Sequence, residues 1–118
     1  MLSSAAGEKT CGTSRLRIAL VRHGESQNNI HEAKSWDDYT KYRQPDPDLS
    51  VRGFEQAALL GSYLGDASAS VSLGIHPIHE LWVSPVKRTL QTMAPTAAAL
   101  GLSPRVHTRV FEAGEALG

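Results

Sequence analysis

The stretch "ALVRHGESQNN", Ala19 to Asn29, runs from apolar residues straight into Arg22, His23 and Gly24. A neutral imidazole is a competent nucleophile toward phosphorus. Guanidinium groups grip phosphate oxygens in a forked geometry and stay charged at any working pH. Arg22 stands beside His23, and Arg88 falls in the first turn of an expected helix. In that turn a positive charge opposes the helix dipole, whereas the free backbone N–H groups favour an anion. The placement makes sense if a phosphate sits there. Glu112 follows a later apolar run. It is the candidate acid for a leaving alkoxide, a role worth about 10²–10⁴ in rate. Asn29 is placed to add an amide contact to a phosphate oxygen.

Each residue also has a bland reading. Arg-His-Gly alone is a strand surfacing into a polar loop. Arg88 alone is a surface helix residue, and Glu112 alone is a solvated carboxylate with Glu115 nearby. Glu25 reads as a first-turn helix charge and Ser26 as an N-cap. His76 and His79 form H-x-x-H, but Pro77 breaks the helix that would align them on a metal, so they read as solvated loop residues. His107 is expected to point from a strand into solvent or a polar gap. Trp36, Tyr39 and Tyr42 read first as packing over the domain and second as a substrate lining.

The elements that must position this chemistry follow from periodicity. "RLRIALV", Arg15 to Val21, reads as a buried strand, and a short helix starts near Ser26. Residues 33–47 lack a clear period, contain two prolines and read as a loop. "DLSVRGFEQAALLGSYL" predicts a helix capped by Ser50, with Phe54, Ala57, Ala58, Gly61 and Leu64 on its apolar face. "GDASASVSLGIHP" reads as a flexible loop. "HELWV", His79 to Val83, predicts a second strand. The next helix has Ser84 as cap and Pro85 at its first position. Its apolar face is Val86, Leu90, Met93, Ala97 and Leu100. Pro95 is expected to kink it or mark a strained turn, and Gly101 stops it. "PRVHTRVF", Pro104 to Phe111, predicts a third strand. The expected fold class is α/β, a doubly wound, mainly parallel sheet. Chemistry in such sheets gathers beyond the carboxyl ends of the strands, where Arg22, His23, Arg88 and Glu112 all fall.

The 118 residues suit one domain. Lys+Arg and Asp+Glu are both 12, giving a formal net charge of zero. That balance argues against an electrostatic nucleic-acid or membrane partner. The lone cysteine, Cys11, excludes an internal disulfide and points to a reducing, cytoplasmic setting. Residues 1–14 read as a disordered leader, with residues 15–118 as the domain portion.

Several segments together resemble the histidine phosphatase superfamily, also called phosphoglycerate mutase-like. "LVRHGESQNN" is similar to its signature. "DPDLSVRGFEQAALLGSYL" is similar to its D-x-x-L-[ST]-x-x-G-x-x-Q-A segment. "WVSPVKRTLQTM" resembles S-x-x-x-R-x-x-Q-T, and "RVFEAG" resembles its strand-end glutamate. The resemblance spans roughly residues 16–114. It implies that His23 accepts the phosphoryl group and that Glu112 donates a proton. It implies Arg22, Arg88 and Asn29 as phosphate ligands, a small phosphorylated substrate, and no cofactor or metal.

The family also carries a second pocket histidine followed by glycine, after a later strand. His31, His76, His79 and His107 do not match it. The chain therefore reads as the amino-terminal part of such a domain, with impaired activity and poor solubility expected. Within the family, hydrolysis is favoured over the mutase reaction, because the segment between the histidine motif and the next helix is long. A catalytically inactive fragment is the alternative from another class. A Rossmann nucleotide binder lacks its G-x-G-x-x-G.

Overall fold

The computed structural model describes residues 15–109, the side chain of Ser70 excepted. The leader with Cys11, the end of the third predicted strand, Glu112 and Glu115 lie outside the described residues.

Among the described residues, five helices and two short strands follow one another. Helix α1 is Gln27–Lys34, α2 is Trp36–Tyr42, α3 is Val51–Gly65 and α4 is Ala67–Ser72. Strand β1 is Trp82–Val83, helix α5 is Lys87–Leu100 and strand β2 is Arg105–Val106. The strands pair in parallel, Trp82 with Arg105 and Val83 with Val106, so β1, α5 and β2 form one strand–helix–strand unit. The α/β character and the parallel pairing match expectation. A doubly wound sheet does not: two strands make the whole sheet among the described residues.

Segment 15–21 is the main departure. It forms no strand, and Leu16, Ile18, Leu20 and Val21 are exposed. An apolar run becomes a strand only where a neighbour supplies the ladder. No described residue does so here. The Arg17 side chain donates to the Gly74 carbonyl at 2.7 Å.

Two predicted loops are helical. Ser35 caps α2 by accepting from the Asp38 amide at 3.0 Å, and Asp37 and Asp38 complement the first-turn dipole. Asp66 caps α4 by accepting from the Ser68 amide at 2.9 Å. Capping decided both segments, where apolar period gave no signal.

The main contact is α3 against α5. It uses Gly53, Ala57 and Gly61 from α3 and Arg88, Thr92 and Thr96 from α5, each series four residues apart. The expected apolar faces are therefore displaced: Phe54, Ala58 and Leu90 are exposed. Small residues win because the backbones come close. A Cβ on Gly61 would lie 2.9 Å from Pro95. The threonines fit a tight interface because Thr92 returns its hydroxyl hydrogen to its own helix, at the Arg88 carbonyl.

Helix α5 starts two residues later than predicted, with Val86 in the N-cap position and no side-chain cap from it. Asp46 supplies the missing acceptor from a distant loop. Its carboxylate takes the Lys87 amide hydrogen at 3.0 Å. Ser84 instead lies 2.8 Å from the Thr89 hydroxyl. Pro95 sits inside the helix, and Gly101 ends it with φ +66°.

Candidate active site

His23 is half-buried, and its Nδ1 lies 2.6 Å from the Gly24 carbonyl oxygen. A carbonyl only accepts, so Nδ1 is the donor. In the neutral ring that leaves the lone pair on Nε2. This is the tautomer a nucleophilic Nε2 needs.

The turn after His23 is held from several sides. The Gly24 amide donates to the Thr92 hydroxyl at 3.0 Å, and that hydroxyl donates to the Arg88 carbonyl at 2.6 Å. The His23 turn is thereby fastened to the first turn of α5. The Glu25 amide donates to Gln56 Oε1 at 2.9 Å. The Glu25 carbonyl accepts from the Ser50 amide at 2.8 Å, and the Ser50 hydroxyl donates to the Glu25 carboxylate at 2.7 Å. Glu25 thus precedes the N-cap of α1 rather than sitting in its first turn, and its carboxylate is a structural acceptor.

Ser26 is the N-cap of α1, as predicted. It forms a capping box with Asn29: the Asn29 amide donates to Ser26 Oγ at 3.2 Å, and the Ser26 amide donates to Asn29 Oδ1 at 3.0 Å. Asn29 therefore has a structural duty that spacing did not predict. Its Oδ1 is committed, and its Nδ2 is the end suited to a phosphate oxygen.

Arg88 occupies the second helical position of α5 and is only 7% exposed. It stands one turn before Thr92, on the buried face that meets the His23 turn. Arg22 is exposed. Hydrogen bonds through Gly24 and Thr92 thus link the His23 turn to the Arg88 carbonyl, whereas Asn29 bonds to Ser26 in the cap that follows. Glu112 lies outside the described residues.

Other expectations changed. His107 is half-buried: its ring stacks on Trp82 with centroids 3.7 Å apart, and its Nε2 is buried without a hydrogen-bond partner. Trp36 pairs with Tyr39, and Tyr42 with His31, at 5.5 and 5.4 Å. These rings pack on each other along α1 and α2. Among the described residues no group of three or more His, Cys, Asp or Glu side chains is placed to hold a metal. Nor is any helix long and apolar enough to cross a membrane.

Sequence reasoning gave no individual role to Gly53, Gln56, Gln91 or Thr92. All four stand at fixed positions of the resembling segments, which was the available signal. Gln91 accepts from the Leu49 amide at 2.8 Å and donates to the Asp48 carboxylate at 2.9 Å, fixing the loop before α3. That hydrogen bond first, and Lys87 at 3.4 Å second, hold the Asp48 carboxyl below its usual range.

A family model described as "Histidine phosphatase superfamily (branch 1)" matches residues 18–115. No curated protein matches the chain. The match covers most of the sequence and includes the whole network around His23. The chain belongs to the histidine phosphatase superfamily, branch 1.

Proposed function

We propose that the chain acts as a phosphomonoester hydrolase through a phosphohistidine at His23. The Nδ1 hydrogen bond to the Gly24 carbonyl carries this reading, because it leaves the Nε2 lone pair free. Nε2 attacks phosphorus, and the bond from phosphorus to the ester oxygen breaks. Glu112 gives its proton to the departing alkoxide. Water then attacks the phosphohistidine, giving a proton to the Glu112 carboxylate; the bond from phosphorus to Nε2 breaks, which releases inorganic phosphate and restores the imidazole. Arg22, Arg88 and the Asn29 amide take the non-bridging oxygens and the charge that spreads over them. The length of the segment between His23 and α3 favours water over a bound sugar acid as the final acceptor.

The test is exposure of the full chain to phosphoramidate and to para-nitrophenyl phosphate. A phosphohistidine mapped by mass spectrometry to His23, absent in His23→Ala, is the expected result, together with phosphate release from the ester. A folded chain that never carries phosphate on His23 overturns the reading. Interconversion of phosphoglycerates in excess of phosphate release reassigns it to phosphotransfer.

A further inference from the structure

We infer that Gln56 and Thr92 are positioning residues that together set the tautomer of His23. The inference rests on the reading of His23 as nucleophile, although its first measurement does not depend on activity. Gly24 joins two peptide planes, and each is held by one of these side chains. The plane before Gly24 carries the Gly24 N–H, which donates to the Thr92 hydroxyl at 3.0 Å. The plane after it carries the Gly24 carbonyl and the Glu25 N–H. That N–H donates to Gln56 Oε1 at 2.9 Å.

In a trans peptide the C=O and the N–H point in opposite directions. Fixing the Glu25 N–H on Gln56 therefore fixes where the Gly24 carbonyl points. It points at Nδ1 of His23, 2.6 Å away. Glycine has the widest backbone freedom of any residue, so this aim needs an external hold. Free histidine favours the opposite tautomer, with hydrogen on Nε2, which blocks attack by that nitrogen. The two bonds come from different helices, Gln56 on α3 and Thr92 on α5. Thr92 is 6% exposed, and its hydroxyl also donates to the Arg88 carbonyl, so it is oriented as an acceptor toward Gly24. Neither side chain needs to touch substrate to do this.

The experiment reads His23 directly by long-range ¹H–¹⁵N correlation in the ¹⁵N-histidine-labelled full chain. It is run at about pH 8.5, above the ordinary imidazole range. Wild type is expected to show Nε2 unprotonated and Nδ1 protonated. Gln56→Leu and Thr92→Val are expected to show a mixture of tautomers, and Thr92→Ser, which keeps the hydroxyl, the wild-type pattern. The rate of phosphohistidine formation from phosphoramidate is expected to fall at least tenfold in Gln56→Leu and Thr92→Val and to recover in Thr92→Ser. Inorganic phosphate affinity should change less than twofold.

Folded variants that keep the wild-type tautomer overturn the inference, even if phosphohistidine still forms. A tautomer that shifts as expected in a chain that never accepts phosphate supports the inference and refutes the proposed function instead. Gln56 is exposed, so Gln56→Leu supplies the decision if Thr92→Val fails to fold.

Discussion

Gly24 and Gly53 meet backbone to backbone. A Cβ on Gly24 would lie 2.8 Å from the Gly53 carbonyl oxygen, and a Cβ on Gly53 would collide with the Glu25 carbonyl. The His23 turn therefore rests directly on the first turn of α3, with no side chain between them.

Gly53→Ala is the sharpest test of that contact. The obstacle is backbone, so no flexible side chain can swing away. The expected loss is about 2–3 kcal/mol, the scale of overpacking in a closed interface. It is measured by urea unfolding. A change within about 0.5 kcal/mol, the range of ordinary surface substitutions, would mean the turn does not sit on α3.

Asn29 separates capping from ligand binding. Asn29→Ala removes the acceptor for the Ser26 amide, a cap worth about 1 kcal/mol. Asn29→Asp keeps an acceptor oxygen there and loses the Nδ2 donor. Asn29→Asp is expected to hold wild-type stability while binding inorganic phosphate several-fold more weakly, read by isothermal titration. Equal phosphate affinity in Asn29→Asp would remove Asn29 from the phosphate ligands.

Helix ends were more legible than the architecture, and the reason is physical. Ser26, Ser50 and Gly101 announce their caps locally, because capping depends on residues within one turn. Arg88 was likewise placed in its first turn by nearby residues. Asp46 capping α5, or Thr92 catching Gly24, depends on chain 41 and 68 positions away. No local pattern encodes such a pairing. The α5 face failed for another reason: apolar period pointed to Leu90 and Met93, whereas close approach at Gly61 selects Thr92 and Thr96. Segment 15–21 has a strand's composition, but a strand is made by its neighbour.

Gln91 links acid sensitivity to the loop before α3. The Asp48 carboxyl is lowered mainly by the Gln91 amide and next by Lys87. A lowered folded value means folding favours the carboxylate. That contribution is complete above the ordinary aspartate range, about pH 4 and upward, and is lost as pH falls through the lowered value. In Gln91→Leu the Asp48 titration, followed by carboxyl carbon NMR, is expected to move up toward the ordinary value. The Leu49 amide also loses its acceptor, a cost of about 1–3 kcal/mol. An unmoved Asp48 titration would break the link.

Arg88→Lys keeps the charge and discards the fork. Charge-assisted hydrogen bonds of this kind are worth about 1.5–3 kcal/mol, so phosphate affinity is expected to fall about 10- to 100-fold. The readout is displacement of inorganic phosphate followed by ³¹P NMR. Retention of wild-type affinity would assign Arg88 to holding the α5 turn rather than to the ligand.

Leu20 is 94% exposed, and Leu16, Ile18 and Val21 beside it are also largely open to solvent. A run of this composition without a ladder partner is a template for pairing between chains. A charge on its most exposed side chain adds repulsion at the point of contact and removes no buried apolar surface. Leu20→Lys is therefore expected to raise the soluble fraction on expression, and to lower light scattering on concentration, with the helical circular dichroism unchanged. Unfolding of Leu20→Lys, or a larger insoluble fraction, would instead show that Leu20 packs against apolar surface.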